Sequence, residues 1–163
     1  MTSIFAQNSF RIVPVKSEFL QHARNAGLDD QRQPVETSVA RGGEPCRDVL
    51  RRARAGEEII LASYCPFDVS GPYKEYGPIF ILGARSEEAV DLGRLPIGAE
   101  SDYLNQTFVL RAYSKDERIV DGILSAPDQA EENLQRIFSC EEVDFVLARF
   151  AGYGCYACRI ERR

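Results

Sequence analysis

Tyr64-Cys65-Pro66-Phe67-Asp68-Val69-Ser70-Gly71-Pro72-Tyr73-Lys74-Glu75-Tyr76-Gly77-Pro78-Ile79-Phe80-Ile81-Leu82 is the stretch whose reading decides the fold. Its ends belong to two apolar runs, Ile59–Tyr64 and Ile79–Leu82, which have the length and composition of strands. Between them lie two Gly-Pro pairs and the tyrosines Tyr73 and Tyr76. Proline has no N–H to give to a sheet ladder and glycine bends freely, so this middle part reads as a loop. The Ile-Ile-Leu-Ala run at Ile59–Ala62 does not alternate with polar residues, which predicts a strand buried on both faces. The loop matches no catalytic motif, and the chain carries no nucleotide-binding glycine loop, paired-carboxylate motif or Ser/His/Asp order.

Working outward, Phe10–Val15 reads as a strand that Pro14 places at an edge or an end. Ser17 offers an N-cap, Phe19, Leu20, Ala23 and Ala26 fall at helical spacing, and Gly27 closes that helix. Val35–Ala40 is a weak strand. Pro45–Ala55 reads as a short helix with Val49, Leu50 and Ala53 inward and Gly56 as its stop. Beyond the Gly-Pro loop, Gly83–Asp102 is loop with a helical turn near Ser86–Asp91. Thr107–Tyr113 alternates, Ser114–Glu117 turns, and Arg118–Leu124 returns as its hairpin partner. Pro127 opens a helix with acids near its start and a stripe of Ala130, Leu134, Ile137 and Phe138. Val143–Phe150, the turn Ala151–Gly154 and Cys155–Ile160 complete the chain. The expectation is one α+β domain over residues 1–163, with a mostly antiparallel sheet of about seven strands and about three helices. Residues 1–44 are the more loosely patterned part, and 45–163 the core.

The 163 residues suit one domain. A net charge of −5 argues against a broad nucleic-acid footprint, although Arg41, Arg47, Arg51, Arg52 and Arg54 cluster. That cluster reads as a solvated helix face. No apolar run approaches the roughly 20 residues that cross a bilayer, and Met1–Val13 lacks a basic start with an apolar centre, so the expected place is the cytoplasm. The odd count of 5 cysteines argues against a disulfide framework there.

Several residues can carry chemistry. Cys46, in the first turn of the expected Pro45–Ala55 helix and beside Arg47, would have its thiolate favoured by the helix N-terminus and the guanidinium, as a reactive cysteine requires. The alternative is a cysteine that simply packs. His22 sits on a surface-like helix position and reads as solvated, with no motif to pair it with a cysteine. Cys155 and Cys158 have knuckle spacing, so with Cys46 and Cys65 they offer an alternative zinc site. A strand through Cys155–Ile160 would point Cys155 and Cys158 to opposite faces, so zinc demands a turn there. Arg111 and Arg149 alternate in phase with apolar residues, and a buried guanidinium needs an acid or a bound anion. Convergence of Arg47, Arg111 and Arg149, with Tyr73 and Tyr113 as hydroxyl donors, would make an anion site. Pairing of each arginine with an internal acid such as Glu57 or Glu75 is the competing reading.

Pro45-Cys46-Arg47, Gly56-Glu57, Tyr64, Pro66-Phe67, Gly71-Pro72-Tyr73, Gly77-Pro78-Ile79-Phe80, Arg111-Ala112-Tyr113, Arg149 and Gly154-Cys155 together resemble the pattern of the bacterial domain-of-unknown-function family number 1203, from about Pro45 to the C-terminus. The resemblance implies no activity. It marks Cys46 and Cys155 as matching thiols and Arg47, Arg111 and Arg149 as matching arginines. The family pattern often has a further cysteine where this chain has Val49, and another after the Pro-Ile-Phe strand, where Gly83–Val90 has none. The leading expectation is a pocket binding a small anionic molecule, lined by Arg47, Tyr73, Arg111, Tyr113, Arg149 and Cys155, with Cys46 as its reactive group. No cofactor is expected under that reading. The alternatives are a zinc or redox module on Cys46, Cys155 and Cys158, and an interaction domain presenting the tyrosine-rich loop.

Overall fold

The structure, a computed structural model, describes residues 9–99 and 101–163. Residues 1–8, which carry most of the segment read for a signal peptide, lie outside them. The strands are Phe10–Val13 (β1), Glu36–Val39 (β2), Pro45–Cys46 (β3), Arg51–Arg52 (β4), Glu58–Tyr64 (β5), Gly77–Leu82 (β6), Phe108–Tyr113 (β7), Ile119–Ser125 (β8), Phe145–Phe150 (β9) and Tyr156–Arg162 (β10). The helices are Ser17–Gln21 (α1), continued by a π-helical turn over His22–Ala26, and Ala130–Phe138 (α2), entered through a 3-10 turn at Pro127–Gln129. The class is α+β, as the patterning predicts. The strands form two sheets rather than one. The first, in the order β1-β10-β9-β7-β8, is antiparallel throughout. The second, β2-β5-β6-β3-β4, is antiparallel except where β3 runs parallel to β6.

The expected Pro45–Ala55 helix does not exist. Cys46 pairs with Phe80 on one side and Arg51 on the other, and Arg47–Leu50 is a tight turn with Leu50 at φ 51°. Eleven residues hold too few apolar positions to separate a helical stripe from a buried hairpin, and burial against β6 decides between them. The helical turn expected near Ser86–Asp91 is absent too. Ser17 is the first residue of α1 rather than its cap, but Gly27 does end the helix, at φ 67°.

Three apolar clusters explain the layering. One lies between the sheets: Tyr113, Phe145, Leu147 and Tyr156 from the first meet Ile60, Ala62, Tyr64, Ile79 and Ile81 from the second, with Phe19 and Ala23 of the N-terminal helix. The other face of the first sheet packs on α2 through Ala130, Leu134 and Ile137, and on Tyr103 and Leu104. The other face of the second sheet buries Cys46, Val49, Ile59 and Leu82. Ile59 and Ile60 therefore enter different clusters, which is the two-faced burial that the unbroken apolar run predicts.

The Gly-Pro loop is tied down at its start. Glu117, in the β7–β8 turn at φ 60°, takes the N–H of Asp68 at 2.7 Å and of Val69 at 2.9 Å on its carboxylate. Lys16 Nζ donates to Asp68 Oδ1 at 2.6 Å and to the carbonyls of Cys65 and Phe67, and this pairing holds the Asp68 carboxyl below its usual range. Beyond Val69 the loop through Pro72 is exposed.

Candidate functional site

A cleft of about 840 Å³ opens where three segments meet: the β3–β4 hairpin with the glycines before it, residues 103–108 leading into β7, and the β9–β10 turn. Its charged lining is Arg41, Arg47, Arg52 and Glu44, three cations against one anion. Leu61, Phe80, Leu104, Phe108 and Phe150 supply apolar wall. Glu44 is engaged locally, since its carboxylate takes the backbone N–H of Arg41 and Gly42 at 2.9 and 2.8 Å, which lowers its pKa.

Arg47 is the unusual member. It is 4% exposed, and its guanidinium donates from Nε to the Tyr156 carbonyl at 2.7 Å and from Nη1 to the Pro45 carbonyl at 2.6 Å. The group lies over the Phe150 ring, 5.0 Å from its centroid. Among the described residues no carboxylate stands within salt-bridge distance of it, nor of the Arg41 and Arg52 guanidinium groups. Arg52 shares the same ring at 5.6 Å and spends its donors on the carbonyls of Gly43, Asp102 and Tyr103. Burial pulls the Arg47 pKa below its ordinary value. A desolvated guanidinium held on neutral carbonyls retains an unmet demand for negative charge.

The predicted residues separate into two places. Arg47 and Cys155 line the cleft. Arg111 and Arg149 converge elsewhere, on Glu75 of the Gly-Pro loop: Arg111 Nη1 lies 3.1 Å from Oε1, and Arg149 Nη2 lies 3.3 Å from Oε2. Arg47 does not join them: Arg111 and Arg149 take the competing pairing with an internal acid, whereas Arg47 rests on backbone carbonyls. Tyr113 is buried between the sheets, stacked on Phe145 at 5.1 Å, with its hydroxyl accepting from Arg111 at 3.5 Å. Tyr73 lies beneath the Arg118 guanidinium, 5.4 Å away.

Cys46 keeps the neighbouring Arg47 charge, which favours its thiolate, but loses the helix N-terminus. It sits in a strand, not at a helix N-terminus, and it is fully buried. Burial, followed by the nearby Asp48 charge, pushes its thiol up to about 12. Cys158 is buried as well and is pushed up to about 12 by desolvation. A bulge between Tyr156 and Cys158 turns Cys158 into the cluster beneath α2, while Cys155 lies at the cleft. Among the described residues, no three His, Cys, Asp or Glu side chains are grouped to hold a metal. His22 is exposed on the N-terminal helix.

Sequence reasoning missed Arg41, Arg52 and Phe150 as cleft residues. Reading a helix through Arg47–Arg54 sent the arginines to a solvated face; a hairpin brings Arg47 and Arg52 over one ring. The available signal was the Gly42-Gly43 pair and Gly56 bracketing a short Arg-rich run, as a hairpin requires. Both bracketing sites adopt positive φ, with Gly42 at 105°, Gly43 at 99° and Gly56 at 93°.

Two packed sheets enclosing an arginine- and aromatic-lined cleft define the class: an α+β protein with a cationic, partly apolar cavity. The chain belongs to the DUF1203 family of proteins of unknown function, whose family model matches residues 43–162. No curated protein and no solved structure matches the chain. Among the described residues no helix is long and apolar enough to cross a membrane.

Proposed function

We propose that this protein binds a small organic anion in the cleft, with its charged group on Arg47 and its apolar part against Leu61, Phe80 and Phe108. The observation that carries the reading is Arg47 itself: a guanidinium 4% exposed, fixed on two backbone carbonyls and one aromatic ring, with no carboxylate paired to it among the described residues. Arg41 and Arg52 add positive potential at the mouth, and a low-dielectric wall strengthens it. Cys155 contributes a half-buried thiol to the same wall. Five free cysteines suit a reducing cytoplasm.

The test compares benzoate and phenyl phosphate with benzyl alcohol, which keeps the ring and lacks the charge, by titration calorimetry. A charge-assisted bond to a desolvated arginine contributes about 1.5–3 kcal/mol, so at least one anion is expected to bind about tenfold or more tighter than the alcohol. Equal affinity for all three, or binding of neither anion, contradicts the reading.

A further inference from the structure

Arg111 on β7 and Arg149 on β9 are diagonal neighbours, since Val109 pairs with Arg149 and Arg111 with Leu147. Neither lines the arginine cleft. Their guanidinium groups flank one carboxylate, that of Glu75, which gives one oxygen to each. The two sides of this contact are unequal. The Arg149 side chain is 8% exposed, whereas Glu75 is 44% exposed and follows the open part of the Gly-Pro loop. Arg149 donates from Nη1 to the Gly154 carbonyl at 3.2 Å, and its buried Nε–H has no partner. A carboxylate thus leaves the donor set of this arginine incompletely used. The Glu75 carboxylate is nearly half exposed and returns to water at little cost, so the occupant of the two arginines can be exchanged.

We propose that Arg111 and Arg149 form a second anion site, for a small tetrahedral dianion of the phosphate type, and that Glu75 occupies it as a built-in competitor. A phosphate dianion brings a second charge and additional acceptor oxygens to the same two forks. Its entry expels the Glu75 carboxylate and releases the Ser70–Tyr76 segment, whose anchors at Asp68 and Val69 lie upstream. The apparent affinity for phosphate is reduced by the fraction of molecules in which Glu75 is seated, and removing that carboxylate restores it.

The experiment is a calorimetric titration with inorganic phosphate of the wild type, of Glu75→Gln and of Glu75→Gln combined with Arg111→Met. Glu75→Gln is expected to bind about tenfold tighter than wild type, and Arg111→Met to cancel that gain. An unchanged affinity in Glu75→Gln overturns the proposal, as does a gain that survives Arg111→Met. If the double variant fails to fold, trypsin cleavage after Lys74 decides. Phosphate is expected to speed that cleavage in the wild type, and Glu75→Gln to be cut fast without it; cleavage indifferent to both overturns the proposal. Because the readout is the gain produced by Glu75→Gln, phosphate bound in the Arg47 cleft does not mimic it.

Discussion

Arg47→Met is expected to weaken binding of the anionic probe about a hundredfold, the largest functional effect of any single replacement in the cleft. Methionine keeps an unbranched stem over Phe150 and removes every donor and the charge. Truncating a desolvated, hydrogen-bonded charge at an interface costs about 2–5 kcal/mol, and a hundredfold is about 2.7 kcal/mol. The same change leaves the carbonyls of Pro45 and Tyr156 without their guanidinium partner, so a stability loss of about 2 kcal/mol accompanies it. Arg47→Lys separates charge from shape. A lysine restores the cation but not the planar fork that meets two carbonyls and a ring together, so it is expected to recover only part of the affinity. Calorimetry for affinity and urea unfolding for stability measure the two losses independently. Arg47→Met binding the probe as the wild type does would place the site elsewhere.

Arg24→Met is expected to cost about 3–5 kcal/mol of stability, because it strands a buried charge. Arg24 Nη2 lies 2.7 Å from Asp48 Oδ2, and the side chains are 14% and 6% exposed. Arg24 also donates to the Leu82 carbonyl, and Asp48 Oδ1 accepts the Leu82 N–H at 3.1 Å. Together they clamp the π-helical turn and the Arg47–Leu50 turn onto the end of β6. The Asp48 pKa is raised by burial and pulled back by the Leu82 N–H and by Arg24. Without Arg24 it climbs further. A carboxyl whose folded pKa exceeds its unfolded value weakens the fold most when it is ionised in both states, at neutral pH. That penalty falls as pH drops through the folded pKa towards the unfolded one, near 4. The deficit of Arg24→Met relative to wild type should therefore be greatest near pH 7 and smaller near pH 4.5. A deficit that is constant or grows on acidification contradicts the account of Asp48 as a stranded charge.

Much of the fold was legible because periodicity was strong where it mattered. Thr107–Tyr113 alternates and becomes β7, and Ala130–Phe138 carries a helical stripe and becomes α2. The Ile59–Ala62 run announces a strand buried on both sides, and Ile59 and Ile60 confirm it by entering different clusters. The division into two sheets was not legible, since it depends on pairings such as Cys46 with Phe80 that span 34 residues and leave no local pattern. The site was half legible. In-phase apolar neighbours marked Arg111 and Arg149 as at least partly buried, but not which anion they meet, because Glu75 reaches them from a loop without periodicity. The helix expected to activate Cys46 is a hairpin, and the burial of its thiol left no mark in the local pattern.

The most direct test of the cleft reading is the side-chain Nε–H signal of Arg47 in an ¹H–¹⁵N correlation spectrum during titration with benzoate. Its hydrogen bond to the Tyr156 carbonyl protects this proton from exchange with water. A saturable shift of the Arg47 signal with benzoate, and none with benzyl alcohol, is expected. An Arg47 signal that stays put while benzoate binds, or that moves equally with the alcohol, would contradict the claim that this buried arginine receives the anion.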